Sequence, residues 1–376
     1  MTGILSGTNP TVPVRRSGAF GTCMTSNGIL ASEVHYRGKR STEMRQTISV
    51  ALCTRNGARF VEAQLRSILT QTVAPDELVV SDDASTDATV ATIERVMAQH
   101  DPQERERPIR LVLLRNAEPL GITANFESAV RACTGDLIAL CDQDDVWHSD
   151  RLASVEDVFA ARPDIDLVFA DATLVDGQGT PLGRSLFDTL PVTESERAAV
   201  RAGESFSVMI KRNLATGATI ALRRSLLQHA LPFGEGWLHD EWLAIVAASV
   251  GGVDVVDRQL IDYRQHGANE IGVQQATIGY RVRRATEPRG DRNAGLARRS
   301  ARLVERLESL GSLVPPKVLE TARMKARVEN YRAALPAARL LRIGPVLAAD
   351  RRGWYTNYTS QGRFEILRDL LQSHGG

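Results

Sequence analysis

A chain of 376 residues, 43% apolar and 24% charged, is long enough for a main domain of roughly 220 to 250 residues plus an appendage, and its composition is that of a soluble globular protein. No run reaches the roughly 18 apolar residues that a spanning helix needs, so no helix is expected to span a membrane. The formal net charge of +1 conceals a polarity, +4 over residues 1–47, −14 over 48–274 and +11 over 275–376, so an acidic middle is followed by a basic end.

Residues 1–46 carry Gly, Ser, Thr and Arg without apolar periodicity and lack the layout of a secretory signal, so they read as a disordered leader. Cys23, Cys53, Cys133 and Cys141 show no CxxC pattern, which fits reduced thiols and a cytoplasmic location. From residue 47 the chain alternates strand and helix. Ile48 to Cys53 is a first strand, broken at Thr54-Arg55-Asn56-Gly57, and Phe60, Val61, Leu65, Ile68 and Leu69 recur at helical spacing. Glu77 to Ser81 is a second strand, and a helix is predicted from about Thr86 to Gln99. Ile109 to Leu114 is a third strand ending in Arg115-Asn116, and Gly121 to Ala132 is an amphipathic helix. Leu137 to Leu140 is a fourth strand, tipped by Asp142, Asp144 and Asp145. Four such repeats predict an α/β fold with a mostly parallel central sheet flanked by helices.

Ligands of such sheets bind outside the carboxyl ends of the strands, and there the polar residues of all four strands fall. Carboxylates as crowded as Asp142, Asp144 and Asp145 resist ionisation unless a cation sits among them, and a hard divalent ion with oxygen ligands meets that need. The plainer reading is an acidic loop that caps the next helix, with Ser149 as its N-cap. Neither GxGxxG after the first strand nor GxxxxGK[ST] occurs, so neither a dinucleotide fold nor a P-loop is supported.

The stretches TRNGARFVEAQLRSILTQT, ELVVSDDASTDAT, RNAEPLGITANFESAVRACTGDLIALCDQDDVW, HDEWLAIVAASVGG and YRQHGANEIG together resemble the inverting family-two glycosyltransferases of the GT-A fold over residues 48 to 272. DQDDVW with YRQHG is most similar to the branch holding rhamnosyltransferases of bacterial surface polysaccharide assembly. The resemblance implies a nucleoside-diphosphate sugar donor (dTDP- or UDP-linked), a glycan or lipid-linked acceptor, and Mg2+ or Mn2+. It implies that Thr54 and Arg55 lie beside the nucleotide, that Asp83 accepts from the pyrimidine ring, and that Asp142 sits near the ribose. It also implies Asp144 and His266 as metal ligands, Arg264 approaching the diphosphate, and Asp240 as the base that takes the acceptor's proton. Arg115, closing the third strand, joins this group as a donor-binding candidate. Asp145 is either a second ligand or an orienting carboxylate, and Glu241 competes with Asp240 for the role of base. A nucleotidylyltransferase of related sheet architecture and a non-catalytic nucleotide-sugar-binding protein are the alternatives.

Beyond the acidic loop, Leu167 to Ala170 is a further strand, residues 181–212 are irregular, and Thr216-Gly217-Ala218-Thr219 opens another strand. Asp240 precedes an apolar helix, and Leu260-Ile261 is a strand leading to Tyr263-Arg264-Gln265-His266-Gly267. The expected domains are the leader 1–46, a catalytic domain 47–272 and a basic helical region 273–376. In the last, Arg281, Arg283, Arg284, Arg298, Arg299, Arg302 and Arg306 form either a solvated face of a packed appendage or a peripheral contact with an anionic membrane. A nucleic-acid partner is not expected, because the basic face adjoins an acidic cleft and carries no recognised motif.

Overall fold

The computed structural model describes residues 45–100, 108–266 and 290–372. The leader up to residue 44, Cys23, Gly267 and Arg281, Arg283 and Arg284 lie outside the described residues.

Strands β1 (Ile48–Thr54), β2 (Glu77–Asp82), β3 (Arg110–Arg115) and β4 (Leu137–Asp142) alternate with helices α1 (Val61–Leu69), α2 (Thr89–Gln99) and α3 (Ile122–Ala132). All three pairings among these strands are parallel, in the order β3-β2-β1-β4. Alternate side chains of β1 enter opposite cores. Ile48, Val50 and Leu52 pack with α1, α2 and α4 (Arg151–Ala161), and Ala51 and Cys53 with α3 and α5 (His239–Val250). A sheet buried on both faces is why these strands read as unbroken apolar runs.

Beyond β4 the sheet becomes mixed. β8 (Ala221–Arg223) is antiparallel to both β4 and β6 (Leu167–Val175), and β6 runs parallel to β9 (Val253–Arg264). The two-residue β5 (Val146–Trp147) pairs with the end of β9, and β7 (Pro181–Ser185) with β6. This is the expected GT-A type architecture, a parallel half joined to a mixed half. The irregular stretch resolves into β7 and short helices at 186–189, 194–199 and 205–209, the first two opened by capping boxes at Ser185 and Thr193.

Two local readings are corrected. α2 starts at Thr89 rather than Thr86, because the Asp87 carboxylate accepts from the Thr89 amide and hydroxyl and holds the preceding residues in a turn. Ser149 does not cap α4: the N-cap is Asp150, without a side-chain cap bond, and the Ser149 carbonyl accepts from Thr72 instead.

The C-terminal helices are α6 (Arg292–Ser309), α7 (Pro316–Ala333), α8 (Arg339–Arg351), α9 (Trp354–Tyr358) and α10 (Phe364–Leu371). Leu303 and Leu307 of α6, Val314 of the following connection and Ala322 of α7 belong to the same core as Trp242 and Leu243 of α5, whereas Val328, Val346, Ala349, Trp354 and Tyr355 form a separate small core. Arg299 and Arg306, expected on a solvated or membrane-facing surface, turn inward. Arg299 pairs with Glu241 and stacks on Trp237, and Arg306 donates to the carbonyls of Leu231 and Pro232.

Candidate active site

β1 lies between β2 and β4, so the chain reverses its winding direction there and the strand ends open into a crevice. The loops after β1 and β2 lock each other across it. The Asn56 amide donates to Ser85 Oγ (2.8 Å), and Asn56 Oδ1 accepts from the Thr86 amide (2.9 Å). Asn56 (φ 47°) and Ala84 (φ 58°) are held in the left-handed region, strain that persists only where surrounding bonds over-determine the backbone. Thr54 donates to Asp82 at 2.8 Å, fixing the rim between the two strands.

Asp83 is almost fully buried, and its carboxylate is largely engaged already. It accepts from the amides of Leu120 (2.6 Å) and Gly121 (3.0 Å) and from Asn116 Nδ2 (3.3 Å), and Arg55 pairs with it at 3.9 Å. Arg55 and Asp83 are thus brought together. Arg115 is not with them, since its guanidinium is held by Glu94 of α2 at an exposed edge.

The acidic loop is anchored from both ends. Gln143 reaches back to β1, accepting from the Arg55 amide (2.8 Å) and donating to the Arg55 carbonyl (3.0 Å). This seat requires Gly57, where a Cβ would stand 2.0 Å from Gln143 Oε1. From the other side Arg264, at the end of β9, donates its amide to Asp145 Oδ1 (3.0 Å) and its Nε to the Asp144 carbonyl (2.7 Å). Asp145 is 1% exposed, and its Oδ2 has no hydrogen-bond partner. Burial first, then Asp144 and Asp142, hold its carboxyl well above the usual range. Arg264 thus holds the acidic loop through one carboxylate and one backbone carbonyl.

His266 Nε2 lies 2.8 Å from Asp144 Oδ2, and its ring stacks on Phe60 at 4.6 Å. The residues fit a divalent ion. An imidazole and a carboxylate at this spacing match neighbouring corners of an octahedron, about 3 Å apart for bonds of about 2.1 Å. Among the described residues no group of three or more His, Cys, Asp or Glu forms a closed metal cage.

Asp240 stands in the first turn of α5, where the helix dipole favours a negative charge. Its Oδ2 accepts from the Gly217 amide (3.1 Å) and its Oδ1 from the Glu241 amide (2.6 Å). Burial, then Glu241, nevertheless push its carboxyl up to about 7, while the side chain stays partly open to solvent. Glu241 itself is neutralised by Arg299. His239 is buried against Phe126, ring centroids 3.9 Å apart, and burial holds it neutral with its pKa down to about 3. Gly217 makes that approach possible, because a Cβ there would meet His239 Nε2 at 2.7 Å. Burial, then Asp145, Asp142, Asp144 and Asp240, raise the Tyr263 phenol above its ordinary value. The turn that holds Asp240 is bonded to the end of β4: Leu140 donates its amide to the Ile220 carbonyl (3.0 Å), and buried Arg151 donates to the carbonyls of Ala218 (2.7 Å) and Leu140 (3.2 Å), which anchors Asp240 next to the strand that leads into the acidic loop.

Sequence reasoning missed Gln143, Gly57 and Phe60 as parts of the site. Gly57 read as a strand break, Phe60 as a helix-face apolar residue, and Gln143 as the one neutral member of an acidic run.

A family model described as Glycosyl transferase family 2 matches residues 49–229. An uncharacterized glycosyltransferase of Nostoc sp. is 26% identical over 227 residues, covering 59% of this chain and 66% of the relative. Matched mycobacterial proteins, uncharacterized, are covered over 59% of their length, so the chain spans less than two thirds of the first curated relatives it matches. A dTDP-rhamnosyl transferase of Shigella flexneri is 25% identical over 242 residues, 62% of this chain and 76% of the relative. Among solved structures, a mannosyltransferase from Pyrobaculum calidifontis with GDP-Man and Mn2+ is similar with a TM-score of 0.47 and 23% identity, over 87% of both chains.

Proposed function

Through residues 49–229 the chain belongs to glycosyl transferase family 2, and from that premise we propose an inverting transfer of a sugar, rhamnose being the first candidate, from a dTDP- or UDP-linked donor to a hydroxyl of a glycan or lipid-linked acceptor in surface polysaccharide assembly. The observation that carries this reading is that the turn bonded to Asp240 is itself bonded to the end of β4, the strand that leads into Asp142, Asp144 and Asp145. Support for rhamnose comes from the similarity to the Shigella protein and from the DQDDVW and YRQHG segments.

In this reading Asp144 and His266 hold Mg2+ or Mn2+, which when bound supplies charge neutralisation for the departing nucleoside diphosphate. Thr54, Arg55 and Asp83 line the nucleotide side of the crevice, with Asp142 at the ribose. Asp83 has one lone-pair direction left beside its three amide donors for a base N–H. Arg264 positions the acidic loop that would face the diphosphate. Asp240 accepts the acceptor hydroxyl's proton as that oxygen attacks the anomeric carbon from the face opposite the leaving group. A carboxylate with its pKa near 7 is matched to that task at neutral pH, and the Arg299 partner of Glu241 leaves Asp240 as the available acid.

The test is a thermal-shift screen of nucleotide sugars with and without Mn2+ or Mg2+, followed by transfer assays with the donor that raises the melting temperature. A cation-dependent shift with a nucleoside-diphosphate sugar is expected. A shift with nucleoside triphosphate and sugar phosphate instead would favour the nucleotidylyltransferase alternative. The domain limits 47–272 and 273–376, and a cytoplasmic location, belong to the same proposal.

A further inference from the structure

Helices α8 and α10 bury charged side chains beside a few apolar ones and leave most of their leucines outside. In α10 the charged residues Glu365, Arg368 and Asp369 are buried, while Leu367 and Leu371 on the opposite side are 48% and 46% exposed. α8 does the same beside its buried Val346 and Ala349. Arg342 is fully buried, donating to the carbonyls of Pro336, Ala337 and Asp369, while Leu340, Leu341, Ile343 and Leu347 are exposed at 82%, 66%, 46% and 47%. The two helices pack against each other, and Arg342 of α8 bonding to the Asp369 carbonyl of α10 fixes both polar faces inward. A water-soluble helix turns its apolar stripe to the core; a pair that buries ions and exposes leucines is patterned for an apolar neighbour.

The charges around this face state which neighbour. From residue 336 to residue 372 every exposed charged side chain is an arginine: Arg339, Arg351, Arg352 and Arg363. Of the four other charged residues besides Arg342, Glu365, Arg368 and Asp369 are buried, and Asp350 is partly covered and paired with Arg363. A second copy of the same face would bring arginines against arginines, whereas an anionic lipid surface offers apolar depth for the leucines and negative headgroups for the arginines. We propose that the outer face of α8 and α10 docks on the surface of an anionic membrane, Leu340, Leu341, Ile343 and Leu347 entering the headgroup boundary beside Leu367 and Leu371.

This contact differs from the one expected on the arginines of α6, two of which turn into the protein. It rests on the reading of a membrane-borne acceptor only for its purpose. Donor binding in the cleft is measured separately, so the failure of either reading is seen without the other.

The experiment is co-sedimentation of the full chain with phosphatidylcholine vesicles, with and without phosphatidylglycerol, alongside light scattering for mass in solution. Wild type should sediment with the anionic vesicles and lose that binding in high salt. Leu341→Glu with Leu347→Glu, both at exposed sites, should weaken vesicle binding at least tenfold with an unchanged melting temperature. Arg339→Glu with Arg352→Glu should do the same. Wild type remaining in the supernatant with both vesicle types would overturn the proposal, as would equal binding by the leucine variant. A wild-type dimer that the leucine variant converts to monomer would assign the face to a second copy instead.

Discussion

Asp240 has both carboxylate oxygens on backbone amides that favour its charge, yet burial and Glu241 outweigh them and lift its pKa to about 7. A base acts only when deprotonated, so kcat/KM should fall about tenfold per unit as pH drops below about 7 and level off above it. A pH profile already flat at pH of about 6 would remove Asp240 from the role. Asp240→Asn keeps the shape and one of the two amide contacts while losing the proton acceptor, so kcat should drop by roughly 10²- to 10⁴-fold with donor affinity nearly unchanged. At the other side of the cleft, Asp144→Asn and His266→Ala should each weaken Mn2+ binding by about tenfold or more, read by calorimetry without any turnover. Unaltered Mn2+ affinity in both variants would move the ion away from the 2.8 Å pair.

The elements meet through residues that carry no reactive group. Gln143 joins the β4 loop to the end of β1 only because Gly57 has no Cβ. Gly57→Ala should therefore mimic Gln143→Ala: both release the Arg55 backbone and should lower nucleotide-sugar affinity with little loss of melting temperature. If Gly57→Ala binds donor as wild type does, the bridge does not shape the donor side. Such contacts were illegible in the sequence, because a glycine after a strand predicts a turn equally well whether or not a side chain from 86 residues away must fit over it. The strands and helices themselves were legible, since β1, β2 and β4 are buried on both sides and α1 and α3 on one, and those burial patterns are written as apolar runs and helical periodicity.

At the scale of the whole molecule, the small apolar core of the C-terminal helices is joined by a buried network of ions. Arg332, 2% exposed, donates to Asp369 (2.7 Å), Glu329 (2.9 Å) and Glu365 (2.6 Å), and Tyr355 and Asn293 complete the Asp369 carboxylate. Burial would raise the Glu365 pKa, but Arg332, Arg292 and Arg368 prevail and lower it from the ordinary 4.5 to about 2. A depressed carboxyl pKa contributes stability above its unfolded value that is lost as pH falls toward the folded one. Acid unfolding of this region should therefore set in between about 4.5 and about 2, at a cost of about 3 kcal/mol for this group. Arg332→Met leaves Glu365 and Asp369 buried without their main partner and should cost roughly 3–5 kcal/mol in denaturant unfolding. A loss under about 1 kcal/mol would mean that water replaces the guanidinium.

The sequence by itself determined the family, the four β/α repeats, and the gathering of acids at strand ends, because each is a local pattern: periodicity, strand termini, and three carboxylates within four positions. It also named Asp144 and His266, 122 residues apart, through resemblance to a family rather than through spacing. Only the tertiary structure decided that Arg299 neutralises Glu241, that Arg115 turns to Glu94, and that Arg332, Arg342 and Arg368 are core residues while Leu340 and Leu341 face outward. Charge composition shows how many arginines a segment holds. Which of them are paired and buried depends on the carboxylates and carbonyls that folding brings alongside, and that pairing sets both their energy and their use.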